Sequence, residues 1–212
     1  MTPARGLRAA ALGALALLLV GAGVLLRPAI IPENHSAPAV LDAVEIGFIQ
    51  DMTAHHQQAL FMVQRLDAAV DPTITQLARQ IEDTQRTEIG TMLGWLRLAN
   101  ASPTNPHPMS WMPDADMPAG HDHSGAGGLM PGMATMAELD ALSAARGAAA
   151  ETLFIQLMLR HHAGGVAMAK SADALVASGP VKETARSMIT GQSQEAGVLT
   201  LLLAQRNAQP LS

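Results

Sequence analysis

The sequence predicts an all-α protein built as a four-helix bundle, and three observations carry that prediction. A helix-length segment occurs twice, its apolar residues step by three and four, and the composition is that of helices. Among 212 residues there are no cysteines or tyrosines, and only two tryptophans and three phenylalanines. Alanine, leucine, glutamine and methionine dominate, all of which lose little freedom in a helix. The length suits one domain plus a targeting segment. Lack of cysteine excludes disulfide scaffolds, thiolate metal sites and cysteine nucleophiles. Three of the 13 basic residues, Arg5, Arg8 and Arg27, flank the first apolar run. The other 10 face 18 acidic residues, a net charge of −8 with histidine neutral, so the body is not suited to nucleic acid.

The first element is an address. Arg5 and Arg8 precede an uncharged run from Ala9 to Leu26 that ends at Arg27-Pro28. Its length just reaches a membrane span, and the leading arginines orient the body outside the cytoplasm. Residues 1–27 therefore read as a signal anchor, with a cleaved signal peptide as the alternative. Residues 28–40 read as a Pro-rich and polar linker, and 41–207 as the bundle.

Repeat one spans 42–100. Its first helix carries Phe48, Ile49, Gln50, Met52, His55, His56, Ala59 and Met62; 106 residues later stand Phe154, Ile155, Gln156, Met158, His161, His162, Gly165 and Met168. So many matches at one offset mark an internal duplication. Each copy continues into a second helix, where Gln85 and Glu88 match Gln192 and Glu195. Asp71-Pro72 and Ser178-Gly179-Pro180 break the chain between the paired helices, each ending on a proline suited to a first helical turn.

The predicted buried faces are Phe48, Met52, His55, Ala59, Met62 and Leu66, then Ile74, Ala78, Ile81, Gln85, Glu88, Met92 and Trp95. Repeat two, 135–207, offers the counterparts Phe154 to Ala172 and Val181 to Leu202 at the same steps. Between the repeats, 101–134 is a long Met/His-rich connection. Thr135 then opens a short helix with a capping box to Glu138, and Gly147 separates it from the helix of Phe154.

Counting along antiparallel helices places His55, His161, Gln85, Glu88, Gln192 and Glu195 at one height. His56 and His162, rotated about 100° from their neighbours, face a different helix interface. Polar groups on such a face need partners. Two readings stay open: the groups satisfy one another and fix register, or they converge on a metal. In the connection, His107, Met109, Met112, Met117, His121, His123, Met130 and Met133 have no helical period to bury them. Thioether and imidazole together suit copper, Cu(I) through sulfur and Cu(II) through nitrogen. The candidate ligands are thus these eight plus Met52, His55, His56, Glu88, Met158, His161, His162 and Glu195. Only two carboxylates lie on the buried faces, fewer than a di-iron oxidase site needs, so a non-catalytic protein is expected.

The motifs Met52-x-x-His55-His56-x-x-Ala59, Gln85-x-x-Glu88, Trp95-Leu96, Met130-Pro131-Gly132-Met133-Ala134-Thr135 and Met158-x-x-His161-His162-Ala163-Gly164 occur in order. In this the chain resembles the domain-of-unknown-function 305 family over Leu41 to Leu203. The resemblance implies a ferritin-like four-helix bundle, secreted or attached to the membrane of a bacterium, with copper binding in some members. It departs from the family where Ala149-Ala150-Glu151 replaces a Phe-Asp pair, so no role of that aspartate carries over. The expectation is an extracytoplasmic protein that holds copper ions and is tied to the membrane by its N-terminal helix. The alternative is a structural bundle that docks an envelope protein or a second copy of itself.

Overall fold

The computed structural model describes residues 13–22, 39–113 and 130–211. These residues form helices and connecting turns, with no strand among them. The chain divides into two units, Met1–Ala39 and Val40–Ser212. In the first, residues 13–22 form helix α1, whose side chains are exposed. Among the described residues no helix is long and apolar enough to cross a membrane. Residues 9–12 and 23–26 of the run read as an anchor lie outside them.

The second unit contains α2 (Ala43–Arg65), α3 (Pro72–Leu98), α4 (Met136–Ala144), α5 (Gly147–Leu175) and α6 (Pro180–Gln205). Four of these five starts have a local cause; that of α5 does not, its first amide donating to Asp67, 80 residues away, at 2.8 Å. Asp42 and Glu45 exchange side-chain to backbone bonds of 2.8 Å at the head of α2, and Thr135 and Glu138 do the same for α4. Asp71 caps α3 through the Thr73 amide at 2.7 Å, with Pro72 in the first turn. Gly179, at φ 104°, turns the chain into α6. Expected break and helix start coincide at Gly147, which is the first residue of α5.

Two hairpins result, α2 with α3 and α5 with α6, and they meet chiefly through α2 against α5. The apolar residues fall into two clusters. One joins Ala59 and Met62 of α2 to Ile74–Ile81 of α3, Phe154–Met158 of α5 and Leu199–Leu203 of α6. The other joins Phe48–Met52 to Met92, Leu96, Met168–Val176 and Val181–Met188. The N-terminal half of α2 thus lies with the C-terminal half of α5, so the helices run antiparallel. Between the clusters sits the polar layer.

The predicted faces are buried almost throughout. The exceptions are in repeat one, where Leu66, Glu88 and Trp95 are half-buried and Leu77 and Leu96 are buried instead. A straight helix drifts from a strict 3-4 repeat, and across the 27 residues of α3 that drift moves the seam.

Candidate functional site

The layer forms where α2 and α5 cross. His55, His56, His161 and His162 are all fully buried. The His55 and His161 rings stack with centroids 3.8 Å apart and planes 29° from parallel. His55 Nε2 donates to the Pro131 carbonyl at 2.9 Å, and His161 Nε2 donates to the His55 carbonyl at 2.9 Å. His56 Nε2 donates to Glu88 and His162 Nε2 to Glu195, each at 2.7 Å. Heights counted along the helices are therefore right, but the carboxylates pair with the second histidine of each doublet. The reason is rotational: His55 and His161 face the α2–α5 crossing, whereas His56 and His162 face the partner helix within their own hairpin.

All four Nδ1 atoms are buried without a hydrogen-bond partner, as are both amide atoms of Gln85 and of Gln192. Burial holds His55 far below its ordinary value, to about 3, helped by the neighbouring His56. Burial, then His55, lowers His161 well below the usual imidazole range. Both rings are neutral at physiological pH, and each carries its proton on Nε2 because the acceptor there is a carbonyl. Each Nδ1 is then a lone pair with no donor. This matches the arrangement of metal-binding histidines, whose second nitrogen is tied to a carbonyl or carboxylate. The stacked pair has one restriction. Lone pairs lie in the ring planes, so two nearly parallel rings do not aim at one point. Among the described residues no three His, Asp or Glu side chains are placed to hold a metal ion.

Met52 and Met158 are each one turn before a doublet and fully buried. Because α2 and α5 are antiparallel, they lie on opposite sides of the layer, one in each apolar cluster. The connection corrects an expectation. Met109, Met112 and Met130 are not free thioethers: they are 4%, 2% and 8% exposed and pack in the cluster with Phe48 and Met52. Met133 packs against the same cluster, half-buried, and His107 is exposed. Met117, His121 and His123 lie outside the described residues.

Sequence reasoning overlooked what seats those methionines. Asp51, buried on α2, accepts from the Met109 amide at 2.6 Å, Trp111 Nε1 at 2.8 Å and Asn105 at 3.1 Å. Burial raises its carboxyl from the ordinary value against these bonds. The signal was present: at the matching positions repeat two has Leu157 for Asp51 and Gly164 for Gln58, so the polar residues unmatched between the copies marked where only one receives the connection. Gln58 likewise clamps Ala134, its Nε2 donating to the carbonyl at 2.9 Å and its Oε1 accepting from the amide at 2.6 Å.

The family model described as "Domain of unknown function (DUF305)" matches residues 45–203. A solved structure of a DUF305 protein from Streptomyces coelicolor, described as a candidate secreted protein, is 36% identical with a TM-score of 0.70. The likeness covers 80% of this chain and 96% of that one. A DUF305 fragment from Deinococcus radiodurans is 28% identical with a TM-score of 0.62, covering 77% and 97% of the two chains. No curated protein matches. The matched span contains both His-His doublets, their two glutamates and the connection between the repeats; the chain belongs to the DUF305 family.

Proposed function

We propose that this protein binds copper ions outside the cytoplasm, as a non-catalytic holder or carrier, with the imidazole layer as its principal site. The observation that carries this is the set of four buried Nδ1 atoms without partners, each on a ring whose Nε2 is already tied to a carbonyl or a carboxylate. His55 and His161, held neutral by burial, are ligands in advance and release no proton on binding. Met52 and Met158 lie one turn away on either side, and thioether beside imidazole favours copper over harder ions. A metal reached by more than two of these donors requires the stacked rings to rotate. Met117, His121 and His123, outside the described residues, complete the donor inventory as a capture segment. The body is a ferritin-like four-helix bundle in this reading. Its location rests on the basic-apolar N-terminus and on the description of the Streptomyces relative, with the 1–27 segment as anchor or cleaved signal.

Titration of the purified chain with Cu(I) and Cu(II) tests it. Saturable binding is expected, weakened at least tenfold in the His55→Leu/His161→Leu double variant. Uptake no tighter in the native chain than in that variant sinks the site.

The stacked geometry favours one other reading, a register-setting layer with no ligand. In that case the same double variant changes thermal stability by the same amount with and without copper.

A further inference from the structure

The two doublets are duplicated in sequence but not in their surroundings. His161 donates to a carbonyl of the opposite helix, whereas His55 donates to a turn that enters from outside the helix pairs. Met130-Pro131-Gly132-Met133 closes with a Met133 N–H to Met130 carbonyl bond of 3.1 Å. Proline at the second position and Gly132 at φ 75° make it a type II turn. The central peptide of such a turn is flipped, which leaves the Pro131 carbonyl free to accept from outside.

Two glycines let that carbonyl reach the layer. A Cβ on Gly164 of α5 would overlap the Pro131 carbonyl, and one on Gly132 would overlap the Arg160 carbonyl. Backbone packs directly on backbone, with no flexible side chain to yield. The Gln58 clamp on Ala134 fixes the turn from the α2 side, and the Glu138–Arg160 ion pair at 2.7 Å fixes α4, which follows it, to α5. The hydrogen bonds then run in series: Pro131 carbonyl to His55 ring, His55 carbonyl to His161 ring.

We propose that the Pro131–Gly132 turn is a positioning element for the imidazole layer, holding His55 as the Nε2–H tautomer so that its Nδ1 stays a free lone pair. Its consequence for copper rests on the reading of the layer as the metal site; the tautomer itself does not. Displacing the turn removes the carbonyl that selects the tautomer, and a ring with no acceptor at Nε2 loses its preference for a proton there.

The test is long-range nitrogen–proton NMR of the imidazoles in the 15N-labelled chain, together with Cu(I) titration. In the native chain His55 is expected as Nε2–H. In Gly164→Ala, His55 is expected to shift to a mixture or to Nδ1–H, His56 and His162 to stay as they are, and Cu(I) to bind at least tenfold more weakly. Gly197→Ala, at a position with open space beyond its Cα, is expected to change neither. Should Gly164→Ala fail to fold, Gln58→Leu loosens the turn without adding bulk against it and is expected to give the same two changes. A folded variant that keeps His55 as Nε2–H overturns the proposal; a shifted tautomer with copper affinity unchanged upholds the turn's role and overturns the reading of the layer as the copper site. A native chain that takes up no copper overturns the copper reading alone, and the tautomer result then decides this one.

Discussion

A buried imidazole faces a choice between charge and solvent, and His55 and His161 are fully buried with backbone carbonyls, not carboxylates, at Nε2. Their depressed values give the stability of the fold a pH dependence with a definite sign. In the unfolded chain each ring takes up a proton as the pH falls below about 6.5, whereas in the folded chain His55 does so only near pH 3. Unfolding therefore binds protons in that window, and stability falls as the medium is acidified from about 6.5. The linkage amounts to about 2 kcal/mol for His55 by pH 5, and His161 adds to it with the same sign. Urea unfolding is expected to show a midpoint nearly constant above pH 7 and dropping steeply between pH 6.5 and 5. In His55→Leu/His161→Leu that drop should be largely abolished; an unchanged drop assigns it to other groups. Asp51 acts with the opposite sign, since burial raises its carboxyl, and it softens the dependence at the acid end.

Among the elements, α4 is the shortest and depends most on its ends. With nine residues it is below the length at which a helix sustains itself in water. Glu138 serves twice there. It accepts from the Thr135 amide at 2.7 Å as part of the capping box, and from Arg160 of α5 at 2.7 Å. The Arg160 bond, with those to Thr135, holds its carboxyl down at about 2. Its contribution is present above the ordinary glutamate value and is lost as the pH falls toward 2. Glu138→Ala is expected to destabilise the chain by about 2 kcal/mol at neutral pH and to raise hydrogen exchange in α4 and the Met130–Met133 turn before the long helices. Uniform exchange across α2 to α6 in that variant argues against this local role. The long helices differ in kind: their apolar faces, with side chains such as Phe48 and Phe154 each contributing roughly 2 kcal/mol on burial, secure them regardless of caps.

At the level of the whole fold, the polar layer divides the apolar interior but not the folding unit. Each long helix gives residues to both clusters, as α2 does with Phe48 and Met62 and α5 with Phe154 and Met168. Neither cluster can open without breaking helices that hold the other. Glu151 adds a tie between the hairpins, accepting from the Asp71 amide at 2.8 Å and from Arg206 at 3.0 Å. The Val40–Ser212 unit is expected to unfold in one transition when followed by circular dichroism and by tryptophan fluorescence. Trp95 lies on α3 and Trp111 in the connection, so separated midpoints would show two independent halves.

What the sequence determined by itself is whatever repeats. Duplication and 3-4 spacing specified the helices, their pairing into hairpins and the height at which histidines meet glutamates, because helical rise and periodicity are local properties that hold for any packing. Even the Thr135 capping box was legible, since its partners are three residues apart. Tertiary structure decided the rest. Which histidine of each doublet meets a carboxylate depends on a rotation of about 100° that only the position of the neighbouring helix fixes. That Met109, Met112 and Met130 are core residues follows from Asp51 and Gln58 drawing the connection onto α2, and contacts between residues 50 or more positions apart leave no period to read. The tautomer of His55 is set in the same way, by a turn carbonyl 76 residues further along the chain.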